Sequence, residues 1–137
     1  KYLESSCFAY TDKLSNMVKV LSEYGGHAIL PEVISTEPRS IAVRADDKHW
    51  RAIVMWTLNA MIIAEQEGIT SETVKPSFLE SSGTDLGLDP QAAYHVIKHV
   101  GNYGEVFEKH VGHKSEFKLK RGANALEKDG GLVKPFN

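Results

Sequence analysis

Apolar and polar positions alternate along the chain in blocks that predict short strands followed by helices. Leu14, Met17, Val18 and Leu21 recur at helical spacing and predict a first helix. Gly25 and Gly26 are expected to end it. Short apolar runs predict strands at residues 7–11, 28–30 and 41–43, with a further short strand at 117–119.

The most strongly apolar block predicts a long helix that begins after Asp46 and Asp47 and runs to about Glu67. The two aspartates supply capping oxygens and favour the positive end of the helix dipole. Because the block is apolar on nearly all sides, we expect the helix to be buried on more than one face. The apolar run of this block, Ala52 to Ala64, is broken only by Thr57 and Asn59, and it is shorter than the roughly 20 residues that a membrane-spanning helix needs.

Two further helices are predicted from their start signals. Asp89 followed by Pro90 favours a helix with Asp89 as its N-cap. Asn102 with Glu105 three residues later is typical of a capping box. Beyond residue 43 the chain therefore holds far more helix than strand. Since helices of an α/β protein need a sheet to cover, we expect the 137 residues to be incomplete as a folding unit.

Charge and cysteine content narrow the classes of function. The formal net charge is -2, which gives no broad positive field, so nucleic acid is not an expected partner. Cys7 is the single cysteine and supports neither a metal cluster nor an internal disulfide. Taken alone, it favours a buried free thiol; the alternative is half of a disulfide to a cysteine on another segment.

Other residues that could bind a metal or a ligand have plain structural interpretations. His95 and His99 stand at a spacing that can hold a metal, but no third ligand accompanies them, so we expect a solvated helix face and no metal or cofactor. Trp50 and Trp56 offer stacking surfaces, yet tryptophans in an apolar helix are more often core. The basic residues around Leu119 are expected to form a solvated edge: Lys118, Lys120 and Arg121.

Four stretches, in order, resemble the periplasmic binding proteins of ABC transporters for general or polar L-amino acids. They comprise Cys7-Phe8-Ala9-Tyr10-Thr11-Asp12; Ile29-Leu30-Pro31-Glu32-Val33-Ile34 with Ala42-Val43-Arg44; Trp56-Thr57-Leu58 with Ala64-Glu65; and Val100-Gly101-Asn102-Tyr103-Gly104-Glu105-Val106-Phe107-Glu108 with Arg121-Gly122. The fourth is long and idiosyncratic and therefore the most specific. Together they cover nearly the whole chain and only the C-terminal part of the family's length.

The resemblance implies an α/β fold of two lobes, the type II periplasmic binding protein fold, with the ligand held in the cleft between the lobes. Residues 1–34 would then form the C-terminal end of the second lobe. Residues 35–43 would form one crossing strand of the hinge, and residues 44–137 the C-terminal part of the first lobe. In such proteins a cysteine placed like Cys7 pairs with an earlier one, so the resemblance favours the disulfide.

The resemblance also implies a ligand site next to the first strand. A receptor for a free amino acid needs a carboxylate for the ammonium and an arginine for the carboxylate. Asp12 is the acidic residue nearest the family's ammonium-binding position, with Thr11 and Lys13 beside it as further ligand-binding candidates. Ungapped counting puts Lys13 at the family's aspartate position. Asp12 also suits the N-cap of the first helix, and the two roles can coexist.

The function implied is a non-enzymatic solute-binding protein of the periplasm that delivers an L-amino acid to the membrane permease of an ABC transporter. Its remaining partner would be the N-terminal half, in cis or as a separate chain. Two alternatives stay open. One is an enzyme on the same scaffold, such as a dehydratase or lyase. The other is a remnant that packs against a partner chain without binding ligand, which Lys13 at the ligand position favours.

Overall fold

The computed structural model describes residues 12, 14–23, 26, 28–30, 32, 34–35 and 40–136. The chain divides into two compact units, Lys1–Arg39 and Ser40–Asn137, which are described separately. Four α-helices are present in the described part: α1 (Leu14–Glu23), α2 (Lys48–Gln66), α3 (Ala92–Val100) and α4 (Tyr103–His110). Short 3-10 turns lie at Thr84–Leu86, Gly122–Asn124 and Glu127–Asp129. Among these residues, no helix is both long and apolar enough to cross a membrane.

In the first unit, α1 confirms the helix predicted from the apolar spacing. Met17, Val18 and Leu21 are partly buried, while Asn16 and Lys19 are exposed, so the helix has an apolar and a polar side. The strand predicted at residues 7–11 lies outside the described residues. The strand predicted at residues 28–30 is not observed.

Helix α2 begins where the acidic pair predicts. Asp47 is its N-cap, and its carboxylate accepts a hydrogen bond from the Trp50 N–H at 2.8 Å. This bond satisfies one of the backbone donors that the first turn of a helix leaves unpaired. The second half of α2 is buried as predicted, at Ala60, Ile62 and Ala64. The prediction of burial on several faces is wrong for the first half, where Trp50 is 51% exposed.

The core of the second unit lies between α2, α3 and the turn-rich segment that joins them. Its buried members are Ala60, Ala64, Val74, Phe78, Ala93 and Ile97. Alanines on the facing sides of α2 and α3 remove side-chain bulk where the two helices pack, which lets Ile97 become fully buried. Val74 and Phe78 come from the connecting segment, so burial of their side chains holds that segment against the helices.

The helix start predicted at Asp89 is displaced by two residues. Helix α3 begins at Ala92 with Gln91 as its N-cap position. The Asp89 carboxylate instead accepts from the Gln91 N–H at 2.8 Å, and its carbonyl accepts from the Ala92 N–H. Asp89 therefore closes a turn that precedes the helix, which is a second common use of an aspartate side chain.

The strands predicted at residues 41–43 and 117–119 are not observed. A strand requires a neighbouring strand that pairs with its N–H and C=O groups. The described residues contain only one isolated β-bridge, between Leu126 and Val133. The two strand predictions are wrong, because the described part of the chain supplies no strand for these segments to pair with.

The last described segment is attached to α2 through an asparagine in the middle of that helix. The Asn59 side chain accepts from the Phe136 N–H at 2.7 Å and donates to the Phe136 carbonyl at 3.4 Å. A side-chain amide in this arrangement replaces the backbone partner that a strand would supply. Asn59, a polar interruption in the apolar block, thus has a structural role in fixing the C-terminal segment.

Candidate functional site

The predicted ligand carboxylate stands just before α1. Asp12 is exposed, and both of its carboxylate oxygens accept from the side-chain amide of Asn16, at 3.2 and 3.1 Å. Asn16 lies four residues later, on the first turn of the helix, and therefore fixes the orientation of the carboxylate. A carboxylate is the kind of acceptor that a ligand ammonium requires.

Three other residues that the sequence assigns to the site cannot be compared with the structure. Thr11 and Lys13 flank Asp12, and Cys7 precedes it, but all three lie outside the described residues. The ligand-binding roles of Thr11 and Lys13 and the disulfide of Cys7 therefore stay predictions.

A second polar cluster lies within residues 40–136, around the start of α4. The capping box predicted there is confirmed: Asn102 Oδ1 accepts from the Glu105 N–H, and the Glu105 carboxylate accepts from the Asn102 N–H, both at 2.8 Å. Each residue also reaches the loop after α2. The Asn102 amide donates to the Ile69 carbonyl at 2.7 Å, and Glu105 accepts from the Ser71 hydroxyl at 2.7 Å. The motif thus joins α4 to that loop.

This network sets the protonation of Glu105. Burial by itself would raise the pKa of the Glu105 carboxyl group, because it disfavours the charged form. Hydrogen bonds from Asn102 and Ser71, together with the nearby charge of Lys114, outweigh burial and lower the pKa below its ordinary value. Glu105 is therefore held as a carboxylate, which makes it an acceptor for three donors and a poor proton donor for catalysis near neutral pH.

An ion pair between α2 and the segment after α4 lies beside this network. Arg121 binds Glu65 through two parallel hydrogen bonds, Nη1 to Oε1 at 2.8 Å and Nη2 to Oε2 at 3.2 Å. Both side chains are mostly shielded from solvent. The guanidinium also donates to the Asn124 carbonyl and lies over the rings of Tyr103 and Phe107 at 5.5 and 5.1 Å. Such bidentate, stacked geometry suits arginine and not lysine.

Sequence reasoning placed Arg121 in the wrong environment. Lys118 and Lys120 are exposed, as expected of a solvated edge, but Arg121 is shielded and paired with Glu65. A signal was present, because Glu65 and Arg121 both belong to the stretches that carry the family resemblance. Local sequence patterns could not identify the pair, because the two residues are 56 positions apart in the sequence.

These two polar clusters hold the scaffold together and do not form a reaction centre. In the part of the chain that the structure describes, no buried side-chain nitrogen or oxygen lacks a hydrogen-bond partner. A group that is already paired internally has little capacity left for a substrate. The ligand-binding role of Asp12, whose carboxylate is also paired with Asn16, stays a prediction.

The tryptophan and histidine candidates for ligand or metal binding differ in their exposure to solvent. Trp56 packs against the core and lies close to Gly83, whereas Trp50 is exposed on the first turn of α2. His95 and His99 are both exposed on α3, with their rings stacked 6.1 Å apart. Among the described residues, no group of three or more histidine, cysteine, aspartate or glutamate side chains is arranged to hold a metal ion.

Comparisons with curated proteins identify relatives over almost the whole chain. No protein-family model matches it. It is 43% identical to the general L-amino acid-binding periplasmic protein AapJ of Rhizobium johnstonii, across 96% of this chain and 44% of that protein. It is 36% identical to the glutamate/glutamine/aspartate/asparagine-binding protein BztA of Rhodobacter capsulatus, across 97% of this chain and 44% of that protein.

Comparison with a solved structure identifies the fold. A periplasmic binding protein of an ABC transporter from Brucella ovis, with glutathione bound, superposes with a TM-score of 0.74 at 39% identity. The match covers 87% of this chain and 43% of that one. The predicted fold class is thereby confirmed, and the chain spans about two-fifths of the length of the curated relatives that it matches. These residues are therefore similar to about two-fifths of the length of the periplasmic amino-acid-binding proteins of ABC transporters, and they form a part of that two-lobed α/β fold.

Proposed function

We propose that the chain is part of an extracytoplasmic receptor that captures an amino acid and delivers it to an ABC uptake transporter. The observation that carries this proposal is the identity of 36 to 43% to amino-acid-binding proteins over at least 96% of the chain. The relatives are binding proteins, which supports reversible capture without turnover. The same relatives support a periplasmic location and a membrane permease as the partner.

The division of the chain follows from the proposal. Residues 1–34 would end the second lobe, residues 35–43 would cross the hinge, and residues 44–137 would return to the first lobe. The rest of the first lobe would come from an N-terminal half, in cis or as a separate chain. The exposed apolar side chains near the start of α2, such as Trp50 at 51% and Met55 at 42%, support this, since such groups are normally covered.

At the ligand, Asp12 would accept the ammonium group. Both oxygens of this carboxylate are oriented by the side-chain amide of Asn16. The carboxylate–ammonium contact would be a charge-assisted hydrogen bond, stronger than a neutral one. Thr11 and Lys13 would complete this end of the site. Cys7 would form a disulfide to an earlier cysteine of the second lobe.

A second class of ligand has its own support. An ammonium would be repelled by Lys13 if its side chain faces the site, whereas an additional carboxylate would be attracted. The Brucella ovis protein, 39% identical over the matched region, was solved with glutathione, a tripeptide with two carboxylates. A small peptide of this kind, with a carboxylate directed toward Lys13, is therefore the alternative ligand to a free amino acid.

Calorimetric titration of the protein that includes the upstream N-terminal sequence would test the proposal. The panel would contain acidic, amide and neutral L-amino acids together with glutathione. We expect one ligand class to bind with one-to-one stoichiometry and to be recovered unchanged. Absence of binding across the panel would count against capture and favour the remnant hypothesis. Chemical conversion of a bound compound would favour the enzyme.

A substitution of Asp12 tests its role at the ligand more specifically than the titration panel does. Asp12→Asn removes the charge and retains a similar shape, so affinity for an amino acid should fall by at least about tenfold, which corresponds to ~1.4 kcal/mol. Asp85→Asn is the matched control, because Asp85 is an exposed aspartate of the other unit. Equal affinities of the two variants would exclude Asp12 as the ammonium acceptor.

A further inference from the structure

Helix α3 carries two histidines one turn apart on a face that the core does not use. His95 and His99 are both exposed, while Ala93 and Ile97 on the opposite side are buried. Their rings are nearly parallel, at 5°, with centroids 6.1 Å apart. The Tyr94 ring meets that of His95 edge-on at 5.1 Å. The two imidazoles are thus neighbours in space as well as at helical spacing.

This arrangement matches the chemistry of a transition-metal chelate. Imidazole nitrogen is a good ligand for Zn²⁺, Ni²⁺ and Cu²⁺, at about 2.0–2.1 Å from the metal. Histidines at positions i and i+4 of a helix can bind one ion together. Within the described residues, neither ring takes part in a hydrogen bond, so turning a nitrogen of each toward a shared ion would break no internal bond.

The surroundings do not oppose a cation strongly. Lys98 is the other basic residue between the two histidines, and its ammonium is held at the Ser71 carbonyl, 3.2 Å away. Two protein ligands leave the remaining coordination positions of the ion to water, so the site would exchange metal readily, unlike a four-ligand structural site. For such nitrogen ligands Cu²⁺ is favoured over Ni²⁺.

We propose that His95 and His99 form a two-histidine site for a divalent transition-metal ion on the exposed face of α3. The bound ion links two successive turns of the helix and so stabilises its C-terminal half. Both ligands of this site come from the second unit alone.

Titration with Ni²⁺ would test this site on the full chain. The matched control exchanges two adjacent residues, His99→Val with Val100→His, which keeps the composition and moves one imidazole off the shared face. Val100 is already 56% exposed, so the exchange should not disturb the core. Loss of a group that merely orients a metal ligand costs about 10- to 100-fold in affinity. Removal of a ligand from the shared face should therefore weaken Ni²⁺ binding at least about tenfold.

Two further measurements keep the test decisive. His95→Gln and His99→Gln should each produce the same loss as the exchange, because the site needs both rings, and circular dichroism should show unchanged helix content. Ni²⁺ should raise the unfolding temperature of the parent chain and not that of the exchanged variant. Equal Ni²⁺ affinity in the parent and exchanged chains, or dependence on only one histidine, would overturn the proposal.

Discussion

At the scale of single residues, Gly104 of the fourth family stretch lies against the Glu65–Arg121 ion pair. A Cβ at this position would lie 2.8 Å from both Arg121 Nη1 and Glu65 Oε1. Gly104 is on the first turn of α4, where an alanine would otherwise be favoured. The glycine is therefore required by the ion pair that packs against it, not by the helix. The motif preserves the space for a contact 56 residues apart in sequence.

Gly104→Ala should destabilise the protein in spite of the better helix propensity of alanine. The added methyl group must displace one side of the Glu65–Arg121 pair, and overpacking of this kind costs about 1–3 kcal/mol. Urea unfolding would measure the change. Propensity alone predicts a gain of up to about 1 kcal/mol, so a stabilised or unchanged variant would show that the ion pair yields without cost.

At the scale of elements, Glu105 links three pieces of structure. It caps α4, receives two donors from Ser71 in the loop after α2, and is held as a carboxylate because these bonds lower its pKa. A group whose pKa is lower in the folded than in the unfolded chain stabilises the fold above its unfolded pKa. That contribution is lost as the pH falls through the lower, folded value.

Glu105→Gln should therefore flatten the response of stability to acid. The ordinary pKa is 4.5, so the parent chain should lose part of its free energy of unfolding as the pH drops below that value. The variant should lack this part and be weaker by about 1 kcal/mol at pH 7, because a neutral amide accepts hydrogen bonds less strongly than a carboxylate and has one acceptor oxygen fewer. Chemical unfolding from pH 3 to 7 would show it. Glu116→Gln at an exposed site is the control, and identical profiles for both variants would contradict the role of Glu105.

The predicted elements divide according to where their stabilising partners lie. Helix α2 and the Asn102–Glu105 capping box could be predicted because caps and apolar spacing are local signals. Residues 41–43 and 117–119 could not be assigned correctly, since a strand depends on a partner that sequence alternation does not identify. Arg121 was misassigned for the same reason, because its partner Glu65 is distant along the chain.

At the scale of the whole molecule, the comparison with relatives and the exposed apolar side chains both fit a chain that forms part of a larger two-lobed fold. The chain spans about two-fifths of its relatives, and large apolar side chains remain exposed at Ile41, Trp50 and Met55. The expectation that the helices cover strands encoded elsewhere came from counting helices against strands. The ligand site stays a prediction, because Thr11 and Lys13 lie outside the described residues.

Trp50 offers a direct test of the proposal that an N-terminal half covers the first half of α2. The chain has two tryptophans, so Trp56→Phe leaves Trp50 as the single fluorescent tryptophan. In the 137-residue chain, acrylamide should quench Trp50 strongly, because the side chain is half exposed. In a chain extended by the proposed N-terminal half, quenching should fall and the emission should shift to shorter wavelength as apolar surface is buried. Trp50→Phe, which reports the core residue Trp56, should change little between the two lengths. If Trp50 is quenched equally in both, the first half of α2 faces solvent in the complete protein, and the apolar surface there has another partner.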